Sequence, residues 1–387
     1  MPRVAFVTGG TGFIGSHIVD RLLADGWDEV RCLVRRDPKW LRGKPVVRVT
    51  GTLDDFARFA RAPVFAGGEA RAAGTAAPND GSVGAIDSRS ADGAATRRST
   101  AGAPPHLDDL QRALADVTHI FHFAALTRAK SWSEFVTANV LAPVGLLECA
   151  ARASTRLERA VVAGSLAVVG SAVEGVADER AAMQPVSAYG RSKAELERAL
   201  GTPSDPQSLH GRLPITVVRP PAVYGPRERD IYTYFRAASR GVCPVPIDRR
   251  RRLSLVHVRD VVAGTMLAAE HPDAGGRTYF LGPPETVGWL DFAREVRSAV
   301  AAQLRRPVLT LPVPRRAFRA AGAIVEDIAS ALGIFPPFHR EKAAEMLDAC
   351  AACSSDLAVT ELGYRPRVGI AEGVPETLAW YRTRGFV

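Results

Sequence analysis

The sequence feature that most constrains the fold is a glycine-rich turn close to the N-terminus. It reads Thr8-Gly9-Gly10-Thr11-Gly12-Phe13-Ile14-Gly15 and stands between the apolar stretch Val4-Ala5-Phe6-Val7 and a helical pattern over 12–25. Glycines at 9, 12 and 15 permit a tight turn, close approach of backbone N–H groups to a pyrophosphate, and tight helix–strand packing. The helix N-terminus adds a favourable dipole for the anion. The turn therefore predicts a dinucleotide site that includes Gly9, Thr11, Gly12, Phe13, Ile14 and Gly15.

The first half of the chain alternates short β-branched stretches with longer helical patterns, which is typical of a parallel sheet with crossover helices. The predicted strands are 4–8, 29–34, 45–49, 119–123, 159–163 and 215–219, and the main predicted helices are 12–25, 131–153 and 187–200. We expect an α/β fold: a doubly wound parallel Rossmann sheet with a smaller C-terminal substrate lobe. Residues 1–186 would form the dinucleotide-binding domain, and residues 187–387 the returning Rossmann elements and the substrate-binding lobe.

Residues 61–105 interrupt this pattern. They are mostly Ala, Gly, Ser, Thr, Arg and Asp, with neither a strand nor a helix period. Such a composition buries too little apolar surface to offset the entropy of ordering, so we predict a disordered surface insertion. A partner-binding tail and a protease-sensitive linker are the alternatives. The flanks read as the end of a strand at 52–55 and the resumption of a helix at 107–114.

Charge and composition exclude several classes of protein. The chain has 387 residues, 47% of them apolar, and a net charge of +9 that comes mainly from scattered arginines. Scattering favours a solvated surface with some attraction for anionic ligands over nucleic-acid binding. We see no secretory signal and no uncharged apolar run of membrane-spanning length, and five cysteines without framework spacing fit a reducing compartment. We therefore expect a cytoplasmic protein with a small-molecule substrate, no nucleic-acid partner and no integral membrane segment; the oligomeric state stays open, a homodimer included.

The end of the second predicted strand bears on the choice of cofactor. A Rossmann site that prefers NAD carries an acidic residue there for the ribose 2′-hydroxyl, whereas this chain has Arg35 and Arg36. A guanidinium binds a 2′-phosphate that a carboxylate would repel. The pattern favours NADP; the alternative is NAD binding with both arginines solvated.

Tyr189 and Lys193 are the first candidate catalytic residues. They lie four residues apart near the start of a predicted helix, so their side chains can converge. Lowering the pKa of a tyrosine from about 10 to about 7 requires about 4 kcal/mol, and a cation at about 5 Å supplies about 3 kcal/mol at an effective dielectric constant of about 20. We therefore expect Lys193 to lower the pKa of Tyr189, although a pair with this spacing is also a common surface contact.

Ser165 is the third candidate. It follows the fifth predicted strand at its carboxyl end, where open α/β sheets bind ligands. A hydroxyl there can orient a substrate oxygen towards Tyr189; capping a turn is the alternative.

Other residues are less indicative of function. His119 and His122 point to opposite faces of a strand, and Cys350 and Cys353 have no second cysteine pair, so we expect no metal site. The run 249–252 reads as a solvated loop or an anion contact. The apolar stretch 311–338, which arginines and acids interrupt, reads as core packing, with an amphipathic helix at a hydrophobic substrate mouth or a membrane as the alternative.

Taken together, these residues resemble the extended short-chain dehydrogenase/reductase family, with the 61–105 insertion outside the resemblance. The matching positions, beyond the three glycines, are His122-Phe123-Ala124-Ala125, Asn139, Ser165, Tyr189, Lys193, Arg219-Pro220-Pro221-Ala222-Val223-Tyr224-Gly225-Pro226, Val256-His257-Val258-Arg259-Asp260, Glu361-Leu362-Gly363-Tyr364-Arg365-Pro366, Gly373 and Trp380-Tyr381. The resemblance implies that Tyr189 is the acid/base, that Lys193 lowers its pKa and holds the nicotinamide ribose, and that Ser165 polarises the carbonyl. It also implies cofactor contacts at Leu53, Ala124, Ala125 and Pro220.

Departures from the family pattern narrow the expected chemistry. Leu166 and Ala167 stand where sugar-nucleotide dehydratases usually carry Asp-Glu, and Ala222 stands where epimerases typically place Asn. Thr52 replaces a frequent Asp near the adenine. The resemblance is strongest to members like 3β-hydroxysteroid dehydrogenases and flavonol reductases, which implies a ketone or secondary alcohol on a fairly apolar molecule. A sugar-nucleotide epimerase with tightly bound NAD and a non-catalytic nucleotide-binding protein are the alternatives.

Overall fold

The computed structural model describes residues 2–60, 107–248, 251–332, 336 and 338–387. The predicted disordered insertion at 61–105 lies outside the described residues. The strands are β1 Val4–Thr8, β2 Glu29–Val34, β3 Val47–Thr50, β4 His119–His122, β5 Arg159–Ala163, β6 Val176–Ala177, β7 Ile215–Arg219, β8 Ala222–Tyr224, β9 Val242–Pro246, β10 Arg252–Leu253, β11 Leu255–His257, β12 Thr278–Phe280, β13 Val287–Gly288, β14 Leu309–Val313 and β15 Ala352–Cys353.

The helices, in chain order, are α1 Phe13–Ala24, α2 Leu53–Ala57, α3 Leu107–Leu114, α4 Trp132–Val136, α5 Ala142–Ala153, α6 Ala188–Leu200, α7 Leu209–Arg212, α8 Tyr232–Ser239, α9 Val258–Glu270, α10 Trp289–Leu304, α11 Arg315–Ala331, α12 Arg340–Asp348, α13 Asp356–Leu362 and α14 Ile370–Thr383. A π-helical segment, Thr137–Leu141, joins α4 to α5.

The centre of the molecule is a seven-stranded sheet with the order β12-β7-β5-β4-β1-β2-β3. Every pairing in this sheet is parallel. The chain runs outward from β1 through β2 to β3, then returns to β4 on the other side, which creates a switch point between β1 and β4. This order confirms the predicted doubly wound Rossmann fold.

Both faces of the central strands are buried, as the apolar strands predict, whereas the edge strand β3 is largely exposed. In β1, Ala5 and Val7 pack towards α1 and α9, whereas Val4 and Phe6 pack towards α2, α3, α5 and α6. Consecutive side chains of one strand thus enter two separate cores.

The long helical run after β4 belongs to one of these cores. Trp132–Ala153 has the length and mean hydropathy, 1.3, of a helix that could cross a membrane, but 72% of that window is buried inside the protein. Burial of this kind is expected of a helix that covers a parallel sheet.

Two expectations about local structure are wrong. Residues 53–55 do not end a strand but open α2, because Thr52 and Asp55 form a capping box: the Thr52 backbone N–H and hydroxyl both donate to Asp55 Oδ2, at 2.7 and 2.8 Å. The apolar stretch after residue 311 is not simply core. In α11 only Phe318, Gly322 and Ala329 are buried.

Candidate active site

The glycine turn has the geometry that its spacing predicts. Gly9 has φ +77°, and a Cβ there would lie 2.6 Å from the Ala124 nitrogen. A Cβ on Gly15 would collide with the Gly9 carbonyl oxygen. The Gly12 N–H donates to that same oxygen at 2.8 Å. The backbone after β4 therefore leaves no space for a side chain at position 9, and the turn itself leaves none at position 15.

The N-terminus of α1 fits an anionic group. Its N-cap is Gly12, with no side-chain cap and no acidic residue in the first turn. Thr11, Phe13 and Ile14 are partly exposed, and Gly12 is exposed. No capping side chain occupies the backbone N–H groups of Phe13 and Ile14 in the first turn of α1, so these groups are available to a ligand. These residues fit a dinucleotide pyrophosphate.

Arg35 and Arg36 follow β2 directly and are exposed, and neither forms an ion pair with any other described residue. The neighbouring carboxylate is already engaged: Asp37 accepts hydrogen bonds from the Lys39 backbone and the Arg42 guanidinium, which lower its pKa. Two exposed arginines without an ion-pair partner among the described residues therefore follow β2.

Tyr189 and Lys193 lie in the first two turns of α6. Ser187 fixes the start of this helix, because its Oγ accepts a hydrogen bond from the Gly190 N–H at 3.1 Å. The Lys193 side chain is almost fully buried, with 1% of the residue exposed, and its Nζ donates to the Ala163 carbonyl at 2.7 Å. Burial lowers the pKa of Lys193 to about 8, while the charge of Glu197 acts in the opposite direction.

The pKa of Tyr189 differs from the sequence-based expectation. Burial raises it to about 12, a hydrogen bond with Ser165 lowers it, and the charge of Glu345 raises it further. The Lys193 ammonium donates to the carbonyl of Ala163, and desolvation of the phenol is the largest influence on its pKa. Tyr189 is therefore a neutral phenol at neutral pH in this structure.

Ser165 lies two residues after the end of β5, where its side chain caps a turn and also acts on Tyr189. Its Oγ accepts a hydrogen bond from the Ala167 N–H at 3.1 Å, which caps the following helical turn. It also contacts Tyr189 through the hydrogen bond that lowers the tyrosine pKa. The Leu166 N–H donates to the Pro220 carbonyl at 3.0 Å, so the residue after β7 supports this turn.

An electrostatic interaction and a hydrogen bond link α6 to the start of the glycine turn. The charge of Lys193 contributes, after burial, to lowering the pKa of His122 to about 3. His122 Nδ1 lies 2.8 Å from the Thr8 hydroxyl, one residue before Gly9. Lys193 is thus buried, and its ammonium lies at the carboxyl end of β5, which neighbours β4 in the sheet.

The predicted residues fall into two groups around β1. Ser165, Ala124, Ala125 and Pro220 follow β5, β4 and β7, on one side of the glycine turn; α6 brings Tyr189 and Lys193 to the same side. Arg35, Arg36 and Leu53 follow β2 and β3, on the other side. The structure does not bring this second group to Tyr189. An extended ligand across the carboxyl ends of the strands would reach both groups.

Sequence reasoning missed several supporting residues. Glu197, one turn after Lys193, forms a nearly buried ion pair with Arg219 at 2.5 Å, with side chains 9% and 7% exposed. Glu197 lies four residues after Lys193, and this spacing was the sequence signal that could have placed the two side chains on one face of the helix. Glu341 and Glu345 come from α12, where Glu341 accepts a hydrogen bond from the Ala188 N–H. No local pattern indicates that contact, because the partners are 153 residues apart.

Asn139, by contrast, matches the resemblance and has a clear structural task. Its side-chain amide bonds both the N–H and the carbonyl of Leu126 at 2.8 Å, and it donates to Ser192 Oγ at 2.9 Å. It lies in the π-helical segment, a distortion that often occurs at functional sites. Asn139 therefore ties the loop after β4 to the helix that carries Tyr189.

Known proteins resemble this chain over most of its length. The model of the family described as "NAD dependent epimerase/dehydratase family" matches residues 5–69 and 73–282. A ceramide reductase of Caulobacter vibrioides is 28% identical, over 99% of this chain and 96% of its own. A 4-hydroxy-2-methyl-3-oxo-4-farnesyl-3,4-dihydroquinoline-1-oxide ketoreductase of Stigmatella aurantiaca is 27% identical, over 95% and 94%. The structure of DesIV, a dTDP-glucose 4,6-dehydratase of Streptomyces venezuelae with NAD bound, aligns with a TM-score of 0.67 at 22% identity, over 99% of this chain and 98% of that one; at this identity it shows the fold alone.

Proposed function

The chain belongs to the NAD dependent epimerase/dehydratase family, a group of NAD-dependent enzymes of the extended short-chain dehydrogenase/reductase type, and from that premise we propose that it reduces a ketone, or oxidises the corresponding secondary alcohol, on a largely apolar small molecule. The observation that carries the proposal is the placement of the buried Lys193 on α6, whose Nζ donates to the Ala163 carbonyl at 2.7 Å, two residues before Ser165; Ser165 in turn lowers the pKa of Tyr189, and Leu166 and Ala167 follow Ser165 directly. Neither of these apolar residues can exchange a proton with a sugar carbon.

The cofactor would lie across the carboxyl ends of the strands. Its pyrophosphate would meet Gly9, Thr11 and Gly12 and the first N–H groups of α1, at Phe13 and Ile14, and Gly15 would keep α1 close. Ala124, Ala125 and Pro220 would flank the nicotinamide half, and Leu53 the adenine half. When bound, the nicotinamide supplies or accepts the hydride.

The chain's own residues would handle the proton. Tyr189, as a neutral phenol, is in the form that donates a proton to a carbonyl oxygen. Ser165 would hydrogen-bond that oxygen and orient it towards Tyr189. Lys193 would stabilise the phenolate that remains and would bind the ribose, since its ammonium has donors beyond the one used by Ala163. For alcohol oxidation the same groups act in reverse.

Two relatives support an apolar substrate. The names of the Caulobacter and Stigmatella enzymes describe reductases of a ceramide and of a farnesyl-bearing quinoline. We propose by this likeness that the substrate carries a long aliphatic or isoprenoid portion next to its ketone. A thermal-shift screen with NADPH and NADH, followed by turnover assays on long-chain and sterol ketones, tests the proposal.

We propose that NADP(H) is preferred over NAD(H). Replacing both exposed arginines, Arg35→Ser with Arg36→Ser, should weaken NADPH binding by about 10- to 100-fold, because charge-assisted hydrogen bonds contribute about 1.5–3 kcal/mol. NADH binding should change little. Isothermal titration with both nucleotides measures the difference, and Arg365→Ser, an exposed arginine in the C-terminal segment, is the matched control. Equal losses for NADPH and NADH, or tighter NADH binding by the wild type, would refute the preference.

The pH dependence of ketone reduction should reflect Lys193. Its ammonium loses its proton as the pH rises through about 8, so kcat/KM should fall above that pH. Unfolding cannot cause this fall through Lys193: its pKa is lower in the folded than in the unfolded chain, so its contribution to stability rises with pH between about 8 and 10.5. Stopped-flow rates of ketone reduction from pH 6 to 10, with Lys193→Met as the reference variant, check this result. If kcat/KM of that variant fell with the same midpoint pH, the fall would belong to another titrating group.

A further inference from the structure

Helix α11 presents an apolar stripe that the rest of the described chain does not cover. Phe318 and Gly322 of α11 pack against α12, and the Phe318 ring lies 5.0 Å from the ring of Phe338, just before α12. Beside this contact, Ile324, Ile328 and Leu332 follow one another at intervals of four, with 57%, 59% and 68% of each residue exposed. Residues four apart share one face of a helix. The apolar face of α11 is thus wider than its contact with α12.

The segment that leads directly into α11 also exposes apolar side chains. Strands β9 and β14 form a two-stranded parallel ribbon in which Leu309 pairs with Val242. Both residues are exposed, and so is Leu311, which lies on the same face as Leu309 because it is two residues further on. Of fifteen exposed large apolar residues in the described chain, eight lie within 242–247 and 309–332. Such a concentration marks an interaction surface, since isolated exposed apolar residues are ordinary.

Arginines without acidic partners border this surface. Arg240 and Arg305 precede the two strands of the ribbon at the same end, and Arg316 lies in the first turn of α11. All three are exposed, and none is within ion-pair distance of an acid in the described ranges. The acids nearby are already paired: Asp248 and Asp348 with Arg315, and Asp327 with Arg340. The surface therefore combines apolar side chains with uncompensated positive charge.

We propose that the face formed by α11 and the β9–β14 ribbon docks onto an anionic lipid bilayer as a peripheral membrane-binding surface. An amphipathic helix with arginines at the edge of its apolar face has the chemistry for this position: the aliphatic side chains enter the acyl boundary, and the cations meet phosphate headgroups. A second copy of the chain is the less suitable occupant. A two-fold contact through this face would bring two arginine-bearing rims together without acids to neutralise them.

The docking face is close to the proposed site in the fold. Gly322 of α11 packs so tightly on α12 that a Cβ there would lie 2.9 Å from the Ala343 Cβ. Helix α12 in turn contacts the start of the catalytic helix through Glu341 and Ala188. One helix thus separates the bilayer from the helix that carries Tyr189. The proposal is independent of the redox function, because membrane binding needs no turnover.

Vesicle sedimentation with the full chain tests this surface. The wild type should bind vesicles of phosphatidylcholine with phosphatidylglycerol, bind phosphatidylcholine alone more weakly, and lose affinity with added salt. Ile324→Gln with Ile328→Gln should weaken binding at least about tenfold, because two aliphatic side chains no longer enter the bilayer. The matched control is Val359→Gln, an exposed β-branched residue on α13, which should bind as the wild type does. Arg240→Gln with Arg305→Gln should lower binding to the anionic vesicles only.

Three results would overturn the proposal. The first is that the wild type binds neither kind of vesicle, and the second is that the α11 double variant binds vesicles as tightly as the wild type. The third is that light scattering detects a dimer of the wild type but only a monomer of the α11 double variant, and that added vesicles do not change either oligomeric state. The last result would assign the face to a second copy. Because the replaced side chains are exposed, the variants should have the far-ultraviolet circular dichroism spectrum and the thermal midpoint of the wild type. These two measurements distinguish a loss of docking from a loss of folding.

Discussion

Tyr189→Phe should lower the rate of ketone reduction by about 10²- to 10⁴-fold, the range expected when a general acid is removed. The phenyl ring fills the same space on α6, so NADPH affinity and thermal stability should remain near wild-type values. Rapid single-turnover measurement at saturating NADPH isolates the chemical step from binding. The effect would appear in kcat rather than in the dissociation constant of the cofactor.

Tyr232→Phe is the matched control for this loss. That tyrosine lies on α8, where its hydroxyl donates to the Phe386 carbonyl at 2.7 Å, away from Ser165 and Lys193. It should reduce ketones at the wild-type rate. If Tyr189→Phe retained wild-type turnover, the proton would have to come from another group, and Tyr189 would have no acid/base role.

Glu197→Ala should destabilise the protein by about 3–5 kcal/mol, because it removes one member of a buried ion pair and leaves a buried charge without its partner. Arg219 would lose the carboxylate contact at 2.5 Å, and its side chain is only 7% exposed. Lys193 would lose the one charge that raises its pKa, so its ammonium would also lose its proton at a lower pH. Urea unfolding measures the first effect, and the pH profile of reduction measures the second.

The same helix supplies the control for this variant. Glu195 pairs with Arg198 at 2.6 Å on the surface, with side chains 26% and 48% exposed, and Glu195→Ala should cost about 0–1 kcal/mol. Replacing both buried partners, Glu197→Leu with Arg219→Met, should restore most of the lost stability. If Glu195→Ala and Glu197→Ala lowered the free energy of unfolding equally, burial of the Glu197–Arg219 pair would not be the cause of the loss.

The central sheet was predictable because its signals are local. Strands that are apolar on both faces, such as β1 and β5, need no tertiary information to be recognised, and the glycine spacing at 9, 12 and 15 specifies the turn into α1. The error at 53–55 has the same local origin. Thr52 and Asp55 were a capping signature three residues apart that indicated a helix start, and the strand interpretation overlooked it.

The environment of the site was less predictable, because desolvation depends on distant elements. The sequence indicates that Tyr189 and Lys193 converge, but the direction of the tyrosine pKa follows from burial and from Glu345, which α12 contributes. The exposure of α11 is likewise a tertiary property. From the sequence alone, a helix with Ile324 and Ile328 on one face is predicted to pack in the core. Only the structure shows that the surrounding elements cover the neighbouring face and leave these two residues exposed.

The most direct test of hydride transfer to a ketone uses NADPH deuterated at C4 of the nicotinamide. Long-chain and sterol ketones, and UDP-glucose, are incubated separately with the protein, and the products are analysed by mass spectrometry. The account predicts one deuterium on the carbinol carbon of a reduced ketone for each NADPH oxidised, and no reaction with UDP-glucose. Isomerisation of UDP-glucose without net NADPH oxidation, together with no deuterium in any ketone product, would contradict it and favour an epimerase.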